Sequence, residues 1–225
     1  KFTVTNDGGF YDECEVTTTI GKPTVTLNDP ADECIDGTDM QFTGGPLPGV
    51  GTSGVFSSLT AGSNLTDNND GTATLDVSAA GAGTYDVTYT YTDANGCSNY
   101  KTVSVEIFDL PTVTLNDPAD ECIDGTDMAF TGGPLPGVGT SGVFSSLTAG
   151  SNLVDAGDGT ATLDISEAGA GTYDVTYTYT DANGCSNYKT VSVEVFDLPI
   201  VTLNDPADEC IDGTDMAFTG GPLPG

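Results

Sequence analysis

Tryptophan, histidine and arginine are absent from the 225 residues, and lysine occurs only four times. Without histidine the chain lacks the commonest general base and the commonest metal ligand near neutral pH. Ser57 and Ser58 therefore have no imidazole to activate them. Four lysines against 34 acids leave a formal charge of -30, which excludes binding to nucleic acid phosphates and docking on anionic lipid. No apolar run approaches the roughly 20 residues that span a bilayer. The chain begins with Lys1 rather than Met and shows no signal peptide, so it reads as a piece of something longer. The charge that remains favours solubility, repulsion between copies and attraction for cations. Regular strand-type alternation and a 37% hydrophobic content argue for a folded chain rather than a disordered acidic one.

What is present is repetition. GTYDVTYTYTDANGC occurs at 83–97 and, unchanged, at 171–185. A shift of 88 aligns residues 23–110 with 111–198, and only seven positions differ: Gln41/Ala129, Thr66/Val154, Asn68/Ala156, Asn69/Gly157, Val77/Ile165, Ala79/Glu167 and Ile107/Val195. The resulting division is 1–22, the end of a preceding related unit; 23–110, repeat one; 111–198, repeat two; and 199–225, the truncated start of a third. A period of 88 is the size of a small domain with its own core, not of a solenoid turn. Pro111 and Pro199 at the joints hold the preceding residue extended and limit swing.

Within a repeat, Tyr85, Val87, Tyr89 and Tyr91 alternate with Asp86, Thr88, Thr90 and Thr92, the period of a strand with one buried face. Val103, Val105 and Ile107 do the same after the turn at Asp93–Gly96, which makes a hairpin of the last two strands. Shorter strands are predicted at 23–28, 39–44, 54–59 and 72–77, with a weak one near 64–66. DNNDG (67–71) reads as a hairpin turn with Gly71 at positive φ. No segment has helical periodicity. About seven short strands per repeat predict an all-β chain of tandem Ig-like β-sandwiches, strung as beads in a filament.

Each repeat carries one cysteine in ADECIDG (Cys34, Cys122, Cys210) and one in DANGC (Cys97, Cys185); Cys14 fits the second class in the preceding unit. Two cysteines per small domain and no histidine suit disulfides rather than zinc. The pairing expected is within each repeat, Cys34–Cys97 and Cys122–Cys185, with Cys14 and Cys210 bonded outside the chain. The rival scheme joins neighbours, as Cys14–Cys34, Cys97–Cys122 and Cys185–Cys210. It is disfavoured because the last hairpin turn of such a sandwich lies at the N-terminal pole.

The run GTYDVTYTYTDANGCSNYKTVSVEVFD, with Cys34 ahead of a strand leading into FTGG (42–45), resembles the Ig-like tandem repeats of giant Bacteroidota cell-surface adhesins, the SprB-type gliding-motility adhesins exported by the type IX secretion system. The likeness spans both full repeats and the partial third. It implies an extracellular, cell-surface location and a non-enzymatic role as the stalk of a long adhesin filament. The partners it implies are neighbouring repeats of the same chain, a surface or glycan ligand at a tip outside this chain, and the secretion machinery, with no membrane insertion. The alternative is that every repeat is a carbohydrate-binding module acting through avidity.

No catalytic residue and no cofactor are predicted, and Asp67 and Asp70 sit in a solvated turn. Tyr85, Tyr89 and Tyr91 could stack on sugars but pack better as core. Lys101 and Lys189, the only lysines inside the repeats, read as charged strand starts rather than crosslinking groups. One metal reading stands open: Asp29, Asp32, Asp36 and Asp39, repeated as Asp117, Asp120, Asp124 and Asp127, offer calcium hard oxygen ligands near the start of each bead. The competing and stronger reading is a solvated acidic loop.

Overall fold

The computed structural model describes residues 2–5, 11–14, 21–208, 213 and 215–221. They form two compact units, Lys1–Asp109 and Leu110–Gly225. The first opens with an antiparallel pair, β1 (Phe2–Thr5) and β2 (Tyr11–Cys14). The elements of repeat one follow: β3 (Thr26–Leu27), β4 (Glu33–Cys34), β5 (Met40–Gly45), β6 (Ser53–Ser58), β7 (Leu65–Asp67), β8 (Thr72–Leu75), the one-turn helix α1 (Val77–Ala80), β9 (Gly83–Thr92) and β10 (Ser98–Phe108). They build two sheets, β3-β5-β8-β7 and β4-β10-β9-β6. Every pairing is antiparallel except β4 with β10, where Glu33 lies opposite Ile107 and Cys34 opposite Phe108. The fold is an Ig-like β-sandwich, as the strand spacing predicted.

The second unit repeats this design. Its elements are β11 (Thr114–Leu115), β12 (Glu121–Cys122), β13 (Met128–Gly133), β14 (Ser141–Ser146), β15 (Leu153–Asp155), β16 (Thr160–Leu163), α2 (Ile165–Ala168), β17 (Gly171–Thr180) and β18 (Ser186–Phe196). The sheets are β11-β13-β16-β15 and β12-β18-β17-β14. The third copy contributes a pair equivalent to β3 and β5, formed by β19 (Thr202–Leu203) and β20 (Gly220–Gly221).

The core lies between the sheets and follows the alternation. Tyr85, Val87, Tyr89 and Tyr91 of β9 are buried, as are Val103, Val105 and Ile107 of β10, against Phe42, Phe56, Leu75 and Val77. Tyr89 is fully buried, and its hydroxyl donates to Pro46 O at 2.6 Å. Its ring lies 4.7 Å from that of Phe56, tilted by 41°. Gly44 and Gly54, one from each sheet, leave the space it fills; a Cβ on either would overlap the tyrosine. The tyrosines are therefore core, not a sugar-stacking face. At the corner before β9 the Tyr85 hydroxyl donates to Ala80 O (2.6 Å) and Gly81 O (3.0 Å), the tyrosine corner of Ig-type sandwiches. Tyr173 repeats it at 2.7 and 3.0 Å.

Two elements differ from the sequence prediction. The strand drawn through 72–77 stops at Leu75, and α1 follows, capped by Asp76, whose side chain accepts from Ala79 N. The acidic segment around Cys34, expected as a loop near the start of the bead, instead crosses the sandwich. After β3 the chain leaves the first sheet, crosses to the second and runs to the end of β10. Asn28 pins its departure, accepting from Thr43 N and donating to Gln41 O. Asp32 pins its arrival, accepting from Glu106 N at 2.7 Å.

Candidate functional site

Each unit has two distinct ends, and the residues that sequence singled out gather there. The leading end holds the first residue of the repeat and the turn between β9 and β10. Asp93 shapes that turn, its Oδ1 accepting from Asn95 N and Cys97 N, both at 2.9 Å. This is the local economy that makes Asp a turn former. Two residues beyond Cys97, the Asn99 side chain donates to Pro23 O at 2.9 Å. In the second unit Asp181 holds Cys185 N at 2.9 Å, and Asn187 donates to Pro111 O at 3.0 Å. The Asn side chain thus ties the cysteine turn to the proline where its repeat begins. Asn99 was not predicted, although its fixed offset from both the cysteine and the proline was on view.

The loop between β5 and β6 lies beside the turn, with Gly51 close to Ala94. Thr52 Oγ1 accepts from Gly49 N at 2.7 Å and tightens it. Leu47 and Val50 project from this loop into solvent, as do Leu135 and Val138 in the second unit. Sequence reading passed over them; the signal was PLPGVG, identical in both full copies.

The trailing end holds Cys34, beside the last residue of β10, and Ile35 N donates to Phe108 O at 2.9 Å. This overturns the pairing expected within repeats. Cys97 immediately precedes β10 and Cys34 sits at its far end, about 35 Å away at the rise of a strand. A disulfide needs Cα atoms within about 7 Å. The same separation divides Cys185 from Cys122, which lies opposite Phe196 at the end of β18. Cys34 and Cys185 are disulfide-bonded, whereas Cys97 and Cys122 are free thiols. Neither Cys34–Cys97 nor Cys122–Cys185 forms, and the rival Cys97–Cys122 link does not form either. The partners expected for Cys14 and Cys210 lie outside the described side chains.

The acidic segment also belongs to the trailing end of its own repeat, not to the start of the bead, because Glu33 lies opposite Ile107. Its carboxylates are dispersed along the surface. Asp32 and Asp120 are engaged with Glu106 N and Glu194 N, each at 2.7 Å, and Asp39 accepts from Val77 N at 3.3 Å. Asp29, Asp36, Asp117, Asp124 and Asp127 are exposed. Among the described residues no three His, Cys, Asp or Glu side chains are grouped to hold a metal ion.

The turn acids have structural tasks as well. Asp67 Oδ2 accepts from Phe56 N and its Oδ1 from Asn69 N, both at 2.9 Å. The Thr72 hydroxyl and then its backbone N–H hold the Asp70 carboxyl below the usual carboxylate value, and Asp158 repeats this with Thr160. A carboxylate held ionised in this way is poorly suited to donate a proton. Burial pushes the Tyr89 and Tyr177 phenols above their ordinary value. Lys101 and Lys189 are exposed.

No family model and no curated protein matches the chain. Among solved structures, fibronectin(III)-like modules of CbhA from Clostridium thermocellum are 17% identical over 77% of this chain and 94% of theirs, with a TM-score of 0.35. Drosophila N-cadherin EC1-4 is 14% identical, covering 78% of this chain, which spans 50% of the cadherin; the TM-score is 0.37. A Ca2+-stabilized adhesin of an ice-binding Antarctic bacterium is 19% identical over 91% of this chain and 58% of its own, at a TM-score of 0.40.

Proposed function

We propose that the chain is a length of stalk from a secreted surface adhesin, a non-enzymatic spacer in which identical sandwiches supply reach. One observation carries this reading: the two units repeat the same strands, core and turn bonds, and their few differences fall where a spacer tolerates them. Val77/Ile165 and Ile107/Val195 are conservative swaps in the core. Asn69 and Gly157 share a left-handed backbone, φ 62° and 76°, which Asn and Gly accept most readily. Disulfide-bonded cysteines suit an oxidising, extracellular setting, and no helix among the described residues is long and apolar enough to cross a membrane. In this reading the filament is of the SprB type, a type IX secretion substrate serving gliding or attachment. In-frame removal of residues 111–198 from the chromosomal gene tests it. Surface filaments labelled by antibody should shorten while cells still attach.

A second reading rests on Leu47 and Val50, exposed on a loop that recurs unchanged as Leu135 and Val138. It makes each repeat a glycan-binding module. Saturable binding of this chain on a glycan array, weakened by Val50→Ser with Val138→Ser, would favour that reading over the stalk.

A further inference from the structure

We propose that the outer face of the sheet formed by β10, β9 and β6 binds neutral polysaccharide, with Tyr100 at its centre in the first unit and Tyr188 in the second. The inference adds a ligand to the stalk reading without depending on it. It shares a ligand class with the second reading but places the sugar on the sheet, not on the loop of Leu47 and Val50.

The pairing register builds this face. Thr90 lies opposite Tyr100 on one side and opposite Val55 on the other. Its chain neighbours Tyr89 and Tyr91 are buried, so alternation turns Thr90 and its row outward. Tyr100 is 66% exposed and Val55 49%, two large apolar side chains that the core does not use. On each side of this row along the strands is a bonded pair of hydroxyls, Thr88 with Thr102 and Thr92 with Ser98, both at 2.8 Å. Thr88 and Thr92 are about 13 Å apart at the rise of a strand. In the second unit Val143, Thr178 and Tyr188 form the row, again with Val143 and Tyr188 exposed. Its flanking hydroxyl pairs recur at 2.8 and 2.7 Å.

The chemistry of the face selects a sugar chain. A solvent-exposed tyrosine ring gives the C–H side of a pyranose an apolar surface to stack on. Each hydroxyl pair spends one O–H on its own bond and keeps one donor and spare lone pairs. Those match the hydroxyls on the rim of a sugar ring. None of these three rows carries a carboxylate or an ammonium, in a chain whose formal charge is -30. Asp86, one row beyond Thr88, and Asp93 in the turn bound the neutral stretch. Lys101 alternates to the other side, level with Tyr89. The surrounding carboxylates repel an anionic polysaccharide and a second copy of this chain. A neutral glycan meets no such repulsion and gives up no charge hydration on docking. Two such faces on one chain add avidity.

The test runs the whole chain on native gels containing hydroxyethylcellulose, xyloglucan, galactomannan or alginate. At least one of the neutral polymers should retard migration, and alginate should not. Tyr188→Ser should reduce the retardation, and Tyr100→Ser with Tyr188→Ser should abolish it. Val55→Asp with Val143→Asp, which places carboxylates on the row, should abolish it as well. Val50→Ser with Val138→Ser should leave it unchanged. Thermal melting of each variant separates a lost ligand from a lost fold. No retardation by any neutral polymer would overturn the proposal. So would retardation by alginate, or retardation that survives in the folded double tyrosine variant. Retardation lost in Val50→Ser with Val138→Ser but kept in the tyrosine variant would assign the sugar to the loop and overturn it too. None of these outcomes bears on filament length, by which the stalk reading is judged.

Discussion

Tyr89 and Tyr177 show how much of a core depends on what is missing around it. Gly44 and Gly54 carry no side chain, and the ring occupies the space between them. Gly44→Ala should destabilise its unit by about 3 kcal/mol or more, because a methyl group would be driven into a buried ring in a packed interior. Urea unfolding of the variant would measure it. Tyr85→Phe, which removes one hydroxyl from the corner, should cost only about 1 kcal/mol. Acids in the turns and at the helix caps set the response to pH. Asp70, Asp76, Asp158 and Asp164 have folded values below 3.8. Their contribution to stability is complete above 3.8 and is lost as pH falls through the lowered values. Neutralising other carboxylates first relieves repulsion. The melting temperature should therefore rise as pH drops from 7 toward about 4, then fall at lower pH. Calorimetric scans across that range would detect the reversal.

At the scale of elements, long alternating strands were legible and short ones were not. Nine or ten residues of Tyr/Thr alternation identify β9 without help. Two residues, Glu33 and Cys34, have no period to read, and their place in the second sheet comes from Asn28 and Asp32 holding a crossing. The misassigned disulfides follow from that one crossing, since it carries a cysteine early in the repeat to the trailing end, opposite Phe108. α1 is a single turn, too short for a 3.6-residue pattern to emerge. The hairpin around Gly71 was legible because Gly71 takes φ 91°. The tie it makes to the other sheet was not, because it depends on Asp67 reaching Phe56 N from the end of β7. Asp67→Ala would leave that part-buried N–H without its acceptor, at a cost of about 1–3 kcal/mol. Equilibrium unfolding should show the loss, with Asp155→Ala doing the same in the second unit.

For the whole molecule, charge opposes compactness. Each repeat carries about eleven net negative charges by count of residues 23–110, and no buried polar or charged side chain is found among the described residues. The acids face solvent, where salt screens them over about 10 Å at 0.1 M. Raising sodium chloride from 0.01 to 0.5 M should raise the melting temperature, and a flat response would show that repulsion is not a major cost. The parallel pairing of β4 with β10 has a mechanical meaning. The chain comes into β4 from the leading end and leaves from the far tip of β10, so tension drawn between the ends of a unit slides these strands past one another. Their slanted hydrogen bonds then bear load together instead of opening singly like a zipper. Resistance to pulling is set by the unfolding barrier rather than by equilibrium stability. Ile35→Pro removes the N–H that bonds Phe108 O, and single-molecule stretching should find that unit giving way at lower force than its unaltered neighbour.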